Sequence, residues 1–421
     1  MDKNSKLHYA WVMCVVGVLL VFMNTGCVVN SVYNPYFIEN GLSNTQSSLV
    51  VTVRTFSIVI AMAIAAPFYR KLSLKLGLGL FTLFGAVGMF FYAAAHSFTM
   101  FAAGAVCAGI CHGLAGNIPV SMLTNNWFHG KKNLVYGITM AASGFTGVVL
   151  PPVFTNLAGS HGFPFASRTV GIAFAVVAVI AFLLVKDEPS MKGLKIYGHD
   201  MEETKKSVKA TRFKLPDGAY HATTVHTVLV AIVAFFWGFT LYASWSHLAV
   251  LFSAANYEPT TFAWYLSVAG FALMAGKIIG GIVIDKTNAD IGHAIFTIIT
   301  AVGLALVALS GTIHSNGLAF SGSFLRGFGG ICSTSVLASI TSELYPDVKE
   351  YKSKLVVFTL VYNIGGLVTA PLFGRVADAV GSYSPVFWAT AIVSVLQVII
   401  LHIAYKGSLK NGRLTQKERV A

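Results

Sequence analysis

The stretch GVVLPPVF, residues 147–154, recurs as GLVTAPLF at residues 366–373, so that Gly, Val, Pro and Phe keep the same positions at an offset of 219. Gly104 and Gly109 recur as Gly322 and Gly327 at an offset of 218. Residues 66–71 correspond to residues 281–286 at an offset of 215. Three matches in the same order predict two halves related by duplication.

The composition of the whole chain is that of a membrane protein. Of 421 residues, 55% are hydrophobic and only 11% are charged, against about 25% charged in a typical soluble protein. About 20 apolar residues cross a bilayer as a helix, so each apolar run of that length predicts a span. The sequence predicts twelve spans: 10–33, 48–69, 76–96, 100–122, 134–156, 167–185, 226–252, 261–284, 291–313, 318–341, 355–377 and 384–405.

The basic residues predict the orientation. The formal charge is +13, and 24 of the 29 Lys and Arg residues fall in the termini and in the loops that follow even-numbered spans. Since cytoplasmic loops retain Lys and Arg, we expect both termini to be cytoplasmic. The basic excess therefore marks topology, and nucleic acid is not an expected partner.

The longest polar segment predicts the boundary between the halves. We expect an N-terminal six-helix bundle over 1–185, a cytoplasmic loop over 186–224, a C-terminal bundle over 225–405 and a cytoplasmic tail over 406–421. Small residues should let the helices of each bundle pack closely.

The loop between spans 8 and 9 carries a motif, Gly281-x-x-x-Asp285-Lys286. With the twelve spans and the central loop, it resembles the major facilitator superfamily. The resemblance implies an all-α membrane protein with twelve transmembrane helices in two pseudo-symmetric six-helix bundles, and a cytoplasmic gating role for Gly281, Asp285 and Lys286. The N-terminal copy departs from the pattern, because Arg70 stands where the family has Asp.

Two further motifs are similar to the oxalate/formate exchanger and monocarboxylate transporter branch of that family. They are Asn126-Trp127-Phe128 before span 5 and Gly276-Lys277-x-x-x-Gly281 in span 8, where the branch usually has Arg in place of Lys277. In that branch this position binds the substrate carboxylate.

Lys277 is also a candidate on physical grounds. It lies well inside span 8, with no acid one turn away at position 273 or 281. An ammonium in that position needs water or an anion, and a substrate carboxylate would supply one. The alternative is a lysine whose ammonium reaches the cytoplasmic end of the helix.

Other candidate residues are cationic, titratable or polar. Arg54 is an outer attraction site or reaches the headgroups, and Arg326 opens an Arg-and-Gly pattern similar to one of the superfamily. His112 and His247 could carry a coupled proton, or could each make a structural hydrogen bond. Candidates for hydrogen bonding to a substrate are Asn30, Tyr33, Tyr362 and Asn363.

The charge pattern favours a small monocarboxylate. All 16 Asp and Glu residues lie in loops or near span ends, so we expect a net positive central site. The branch's exchanger has a second cation in span 11, and this chain has none between Val356 and Gly374. The acid that precedes the cation in monocarboxylate transporters is replaced by Leu273, which leaves exchange and proton coupling both open.

These patterns predict a secondary active transporter, with lipid, a small organic anion, and protons or a counter-substrate as partners. The five cysteines have no redox or zinc spacing, so we expect no cofactor, no metal and no enzymatic activity. We expect a monomer in the plasma (inner) membrane, and the lack of an Asn-x-Ser/Thr sequon favours a bacterial source. The alternatives are a transporter of a neutral or cationic metabolite or drug and, remotely, a non-transporting nutrient sensor.

Overall fold

The computed structural model describes residues 8–27, 29–69, 71–128, 132–197, 222–331, 336–345 and 347–420. Within these ranges the chain forms helices and no β-strand. The α-helices are α1 (Tyr9–Gly26), α2 (Asn30–Glu39), α3 (Asn44–Tyr69), α4 (Leu74–Ala94), α5 (Phe98–Ala115), α6 (Asn117–Trp127), α7 (Lys132–His161), α8 (Phe163–Leu184), α9 (Thr224–Ala254), α10 (Pro259–Lys286), α11 (Ala289–Ile313), α12 (Asn316–Gly329), α13 (Leu337–Leu344), α14 (Val348–Val380) and α15 (Ser384–Val420).

The all-α membrane fold predicted from the sequence is confirmed. In the described residues, eleven helical segments are long and apolar enough to cross a membrane. The tenth predicted span, 318–341, falls on the shorter helices α12 and α13, and residues 332–335 lie outside the described ranges, as do Arg70 and 198–221 of the predicted central loop.

Several helices extend beyond the predicted spans. The first and fourth spans are each built from two consecutive helices, α1 with α2 and α5 with α6. The first span reaches Glu39 because Pro35 lies inside α2 without ending it. In the predicted tail, α15 continues as a helix to Val420.

The helices divide into two units, Met1–Ser207 and Val208–Ala421. In the first unit α4 packs on α5 and α8, α3 packs on α5, and α1 packs on α7. In the second unit α9 packs on α14 and α15, and α11 packs on α12 and α15. We call the end of each unit that carries Lys75 or Lys286 its basic end.

Glycine permits the closest approaches between helices of the second unit. A Cβ on Gly238 of α9 would lie 1.8 Å from the carbonyl oxygen of Tyr362 in α14, and one on Gly276 of α10 would lie 2.1 Å from that of Phe328 in α12. Contacts this short require an absent side chain, as is usual for membrane helix pairs.

We expect Gly276→Ala to lower the stability of the protein by about 1–3 kcal/mol, because the new methyl group would push the α12 backbone away. Gly281→Ala, five residues later in the same helix, is the matched control, since a methyl group there would meet nothing within 4 Å. Thermal unfolding of the purified proteins should show a lower melting temperature only for Gly276→Ala. Equal melting temperatures would contradict the packing.

A carboxylate fixes the basic end of each unit. In the first unit, the Asp187 carboxylate accepts hydrogen bonds from the backbone N–H groups of Leu74 and Lys75, both at 2.9 Å. In the second unit, Glu343 accepts from the N–H of Ala289 at 3.3 and 3.4 Å. Each carboxylate lies at the N-terminus of a helix, where negative charge is favoured.

The residues Asn126 and Trp127, noted for their family resemblance, hold the start of the central loop. The Asn126 side chain donates to the Asp187 carbonyl at 3.0 Å, and the Trp127 indole donates to the Lys186 carbonyl at 2.7 Å. The Tyr197 N–H donates to the Trp127 carbonyl at 3.1 Å. The segment 186–197 is thus bound to its own unit.

Candidate functional site

Helix α10 presents three distinct faces. An apolar strip of Trp264, Phe271, Ile278 and Ile282 is 50–64% exposed, as expected for a surface that meets lipid. A second face packs on α12 at Gly276, and on Ile331 and on Phe296 of α11 at Gly280.

Lys277 lies on the third face, about 120° around the helix axis from the apolar strip. Its side chain is exposed, and no hydrogen bond or ion pair of Lys277 is found among the described residues. Gly281, one turn further on the same face, leaves open space where a Cβ would stand. The α10 face therefore offers an accessible cation beside open space, away from the lipid-facing strip.

The predicted gating residues end the same helix. Lys286 is the last residue of α10 and is exposed, and Thr287 caps the helix. The side chain of Asp285 lies outside the part that the structure describes, so its gating role stays a prediction.

Arg326 of α12 is the second intramembrane cation of this unit, and it is fully buried. Its Nε and Nη2 atoms donate to the hydroxyl of Ser244 at 3.2 and 3.0 Å, and the guanidinium lies 3.8 Å from the centre of the Trp245 ring. Its Nη1 atom is buried and has no hydrogen-bond partner among the described residues. Within the described part of the chain, the guanidinium thus contacts a hydroxyl and an indole and forms no ion pair with a carboxylate.

The segment 242–247 of α9 contacts or contains the other candidate residues of this unit. The Tyr242 hydroxyl donates to the side-chain carbonyl of Asn363 at 3.3 Å, and its ring lies 5.5 Å from that of Tyr362. His247, in the same segment, is buried and packs against Phe373 and Tyr383, with ring centroids at 5.7 and 5.3 Å. Tyr362, Asn363 and Arg326 therefore all contact residues 242–247 of α9, the segment that also contains His247.

In the first unit, three predicted residues bind carbonyl groups at the end of α1. Arg54 is buried and donates to the Cys27 carbonyl at 3.0 Å, and the Tyr33 hydroxyl donates to that of Gly26 at 2.9 Å. His112 Nδ1 lies 3.0 Å from the carbonyl oxygen of Asn24. Since the last carbonyls of a helix lack helical partners, these side chains complete the end of α1. The side chain of Asn30 lies outside the described part.

These positions bear on the alternatives open for Arg54 and His112. Arg54 is 3% exposed, so in this structure its guanidinium reaches neither the headgroups nor open water. His112 makes the structural hydrogen bond considered for it, and remains half-buried. A substrate-binding role for either residue stays a prediction.

Sequence reasoning missed Asn24 and Ser244. The Asn24 side chain donates to the Ala115 carbonyl at 2.7 Å and accepts from the Cys111 thiol at 2.7 Å, which ties the first span to the fourth. Ser244 ties the seventh span to the tenth through Arg326. The two residues are 220 positions apart, close to the offset of the duplicated motifs. That offset was the signal that could have identified them as a pair.

We expect Asn24→Leu to destabilise the first unit by about 1–3 kcal/mol, because the buried Ala115 carbonyl and the Cys111 thiol lose their partner. The control is Asn40→Leu, which removes an exposed bond to Tyr36 at the end of α2. Denaturation of the two purified variants should show a lower free energy of unfolding for Asn24→Leu than for Asn40→Leu. A loss confined to Asn40→Leu would contradict the assignment.

The family model that matches this chain is described as Major Facilitator Superfamily, and it covers residues 14–347 and 230–419. The chain is 23% identical over 382 residues to the aspyridones efflux protein apdF of Emericella nidulans, covering 89% of this chain and 73% of that protein. It is 23% identical over 280 residues to MFS-type transporter 1 of Ophiocordyceps sp., covering 66% of this chain and 58% of that protein. Both relatives are fungal, so the expected bacterial source gains no support from them.

Solved structures share the fold at low sequence identity. A D-xylose-proton symporter matches with a TM-score of 0.70 and 13% identity over 94% of this chain and 97% of its own. A bacterial homologue of the human lysosomal transporter Spinster, in an inward-facing and unoccupied conformation, matches with a TM-score of 0.66 and 15% identity over 98% of this chain and 99% of its own.

Proposed function

The chain belongs to the major facilitator superfamily and is a multi-pass membrane transporter, and we propose that its substrate is a small organic anion that binds Lys277. The observation that carries this proposal is the exposed Lys277 side chain, which lies about 120° around α10 from the apolar strip. A carboxylate there would gain a charge-assisted hydrogen bond, which is about twice as strong as a neutral one.

Size and charge favour a monocarboxylate. Arg326 is fully buried against Ser244 and Trp245, so away from the end of α10, where Lys286 lies, Lys277 is the accessible cation of the described α10 and α12 surfaces. One accessible charge suits one carboxylate. The motifs around Trp127 and Lys277, which resemble the exchanger and monocarboxylate branch, support the same substrate class.

Transport would proceed by alternating access, as exchange or with a coupled proton. Gly281, Asp285 and Lys286 would contribute to a gate at the basic end. Tyr362 and Asn363, held by Tyr242, would orient the substrate by hydrogen bonding. The orientation with both termini in the cytoplasm belongs to the same proposal.

Uptake into proteoliposomes tests the substrate class. Radiolabelled formate, acetate, lactate and oxalate would be offered with and without a preloaded anion, with choline and xylose as cationic and neutral probes. We expect saturable uptake of a monocarboxylate that other monocarboxylates inhibit. Uptake of choline or xylose that carboxylates do not inhibit would overturn the proposal.

A second candidate function is the export of a larger metabolite, because a relative is named an efflux protein. An exporter would move its substrate, against the concentration gradient, out of the compartment that faces the basic end. Inside-out and right-side-out vesicles that carry the protein would distinguish the two directions.

A further inference from the structure

Helix α11 carries a buried polar stripe that the anion site does not use. Asp290, His293, Thr297 and Thr300 recur at helical spacing on one face, and all are 7% exposed or less. That face meets α15 and α9. The stripe starts at the basic end and runs into the membrane-spanning part of the unit.

The stripe places an imidazole among oxygen atoms. His293 is fully buried, and its Nδ1 lies 2.8 Å from the Thr297 hydroxyl. The backbone of Gln397 in α15 lies near the ring. A hydroxyl can accept, so Nδ1 of an imidazolium, whose two nitrogens both donate, would be paired with Thr297.

The surrounding polar atoms are unusually poorly paired. Buried atoms without a hydrogen-bond partner among the described residues include His293 Nε2, Asp290 Oδ1, the Trp237 indole nitrogen and both amide atoms of Gln397. An unpaired buried polar atom costs about 1–3 kcal/mol, so a bundle that retains several of them suggests a functional reason. Asp290 Oδ1 and the Gln397 amide oxygen are acceptors that could each take a hydrogen bond from a newly protonated group.

A carboxylate–imidazole pair connects the stripe to the surface. Asp290 Oδ2 lies 2.7 Å from Nδ1 of His402, whose side chain is 47% exposed while that of Asp290 is 10% exposed. His293 lies three residues after Asp290 on the same face of α11, which puts the two side chains about 5–6 Å apart at Cβ. One hydrogen bond therefore joins a half-exposed imidazole to the carboxylate that begins the stripe.

We propose that the interface of α11 with α9 and α15 is a proton-binding site, in which His293 holds the proton and Asp290 supplies the counter-charge. The site takes its proton from the basic end through His402. It lies on helices other than those of Lys277 and Arg326, and so extends the proposed transport function by a binding site for a coupling ion.

The other charged and titratable groups near this site lie at its outer edge. Glu343 accepts from the backbone of Ala289 at the start of α11. His226 of α9 lies against Gly407 of α15, and Lys286 and Lys406 are exposed at the basic end. Tyr405 of α15 is buried in the core that also contains Trp237 and Ala289.

Trp237 provides a direct test, because its ring lies 4.9 Å from that of His293 at an angle of 77°. A protonated imidazole at this distance quenches indole fluorescence. Because burial disfavours a charged imidazolium, we expect the emission of the purified protein in nanodiscs to fall only under acid conditions, between about pH 6 and pH 3. The fall should be absent in Trp237→Phe and in His293→Gln. In Asp290→Asn its midpoint should move down by about one pH unit or more, since an opposite charge is lost.

His314→Gln is the matched control, because that imidazole stacks on Tyr257 at the opposite end of the unit, and it should leave the titration unchanged. If the fluorescence emission of the wild type and of Trp237→Phe depended on pH in the same way, that result alone would overturn the proposal. So would a titration that persists in folded His293→Gln protein. No anion is added, so this result is independent of the outcome for the Lys277 site.

Discussion

Lys277→Ala is expected to abolish saturable carboxylate uptake, with a fall of about 100-fold or more in uptake at low substrate concentration. The reason is the loss of the accessible cation in the interior of α10, which we propose pairs with the substrate carboxylate. Removing one partner of a desolvated ion pair costs about 3–5 kcal/mol, and each 1.4 kcal/mol is about tenfold in binding. The measurement is initial uptake of the best monocarboxylate from the panel into proteoliposomes.

Two variants make this result specific. Lys277→Arg keeps the charge and should retain partial uptake, because a planar guanidinium replaces a compact ammonium. Ile278→Ala changes the adjacent residue, which belongs to the apolar strip, and should transport like the wild type. Undiminished uptake by Lys277→Ala would eliminate charge pairing at this residue.

Arg326→Met is expected to abolish transport while leaving the melting temperature unchanged or raised. Methionine retains much of the volume of the side chain, and replacing an uncompensated buried charge by an apolar group is often neutral or stabilising. Transport should fall because the guanidinium hydrogen-bonds α12 to Ser244 of α9, within the segment that also contains Tyr242 and His247. Parallel thermal unfolding and uptake assays measure the two effects.

Ser244→Ala gives the opposite pattern in stability. It leaves the buried guanidinium without its hydroxyl acceptor, and should destabilise the protein by about 1.5–3 kcal/mol. Normal transport by a well-folded Arg326→Met protein would show that the arginine is structural only.

The fold could be predicted because lipid imposes simple requirements on sequence. Apolar length alone located the spans, and the copies of GVVLPPVF paired the two halves. The interruption between α1 and α2 could not be predicted, because Arg54 and His112, which bind carbonyl groups there, lie 27 and 88 positions from the residues they bind. Span ends were similarly underestimated where polar residues continue a helix, as in α15.

The site could be predicted only in part. A cation inside an apolar run is visible in the sequence, and Lys277 and Arg326 were found in that way. Their difference was not visible, since burial depends on neighbouring helices: Arg326 is enclosed by Ser244 and Trp245, whereas Lys277 is exposed. The stripe around His293 also escaped notice, because Asp290 looks like an ordinary acid at the end of a span.

The carboxylate of Asp187 has a consequence for how the protein is made. It completes the N-terminus of α4, yet it is synthesised 113 residues after Leu74. At about 5–20 residues per second, the ribosome reaches Asp187 roughly 6–23 s after it has incorporated Leu74. The third span therefore waits in the membrane with its first amide groups uncapped until the sixth span has followed it. The first six spans should therefore complete their folding together, late in the translation of this unit.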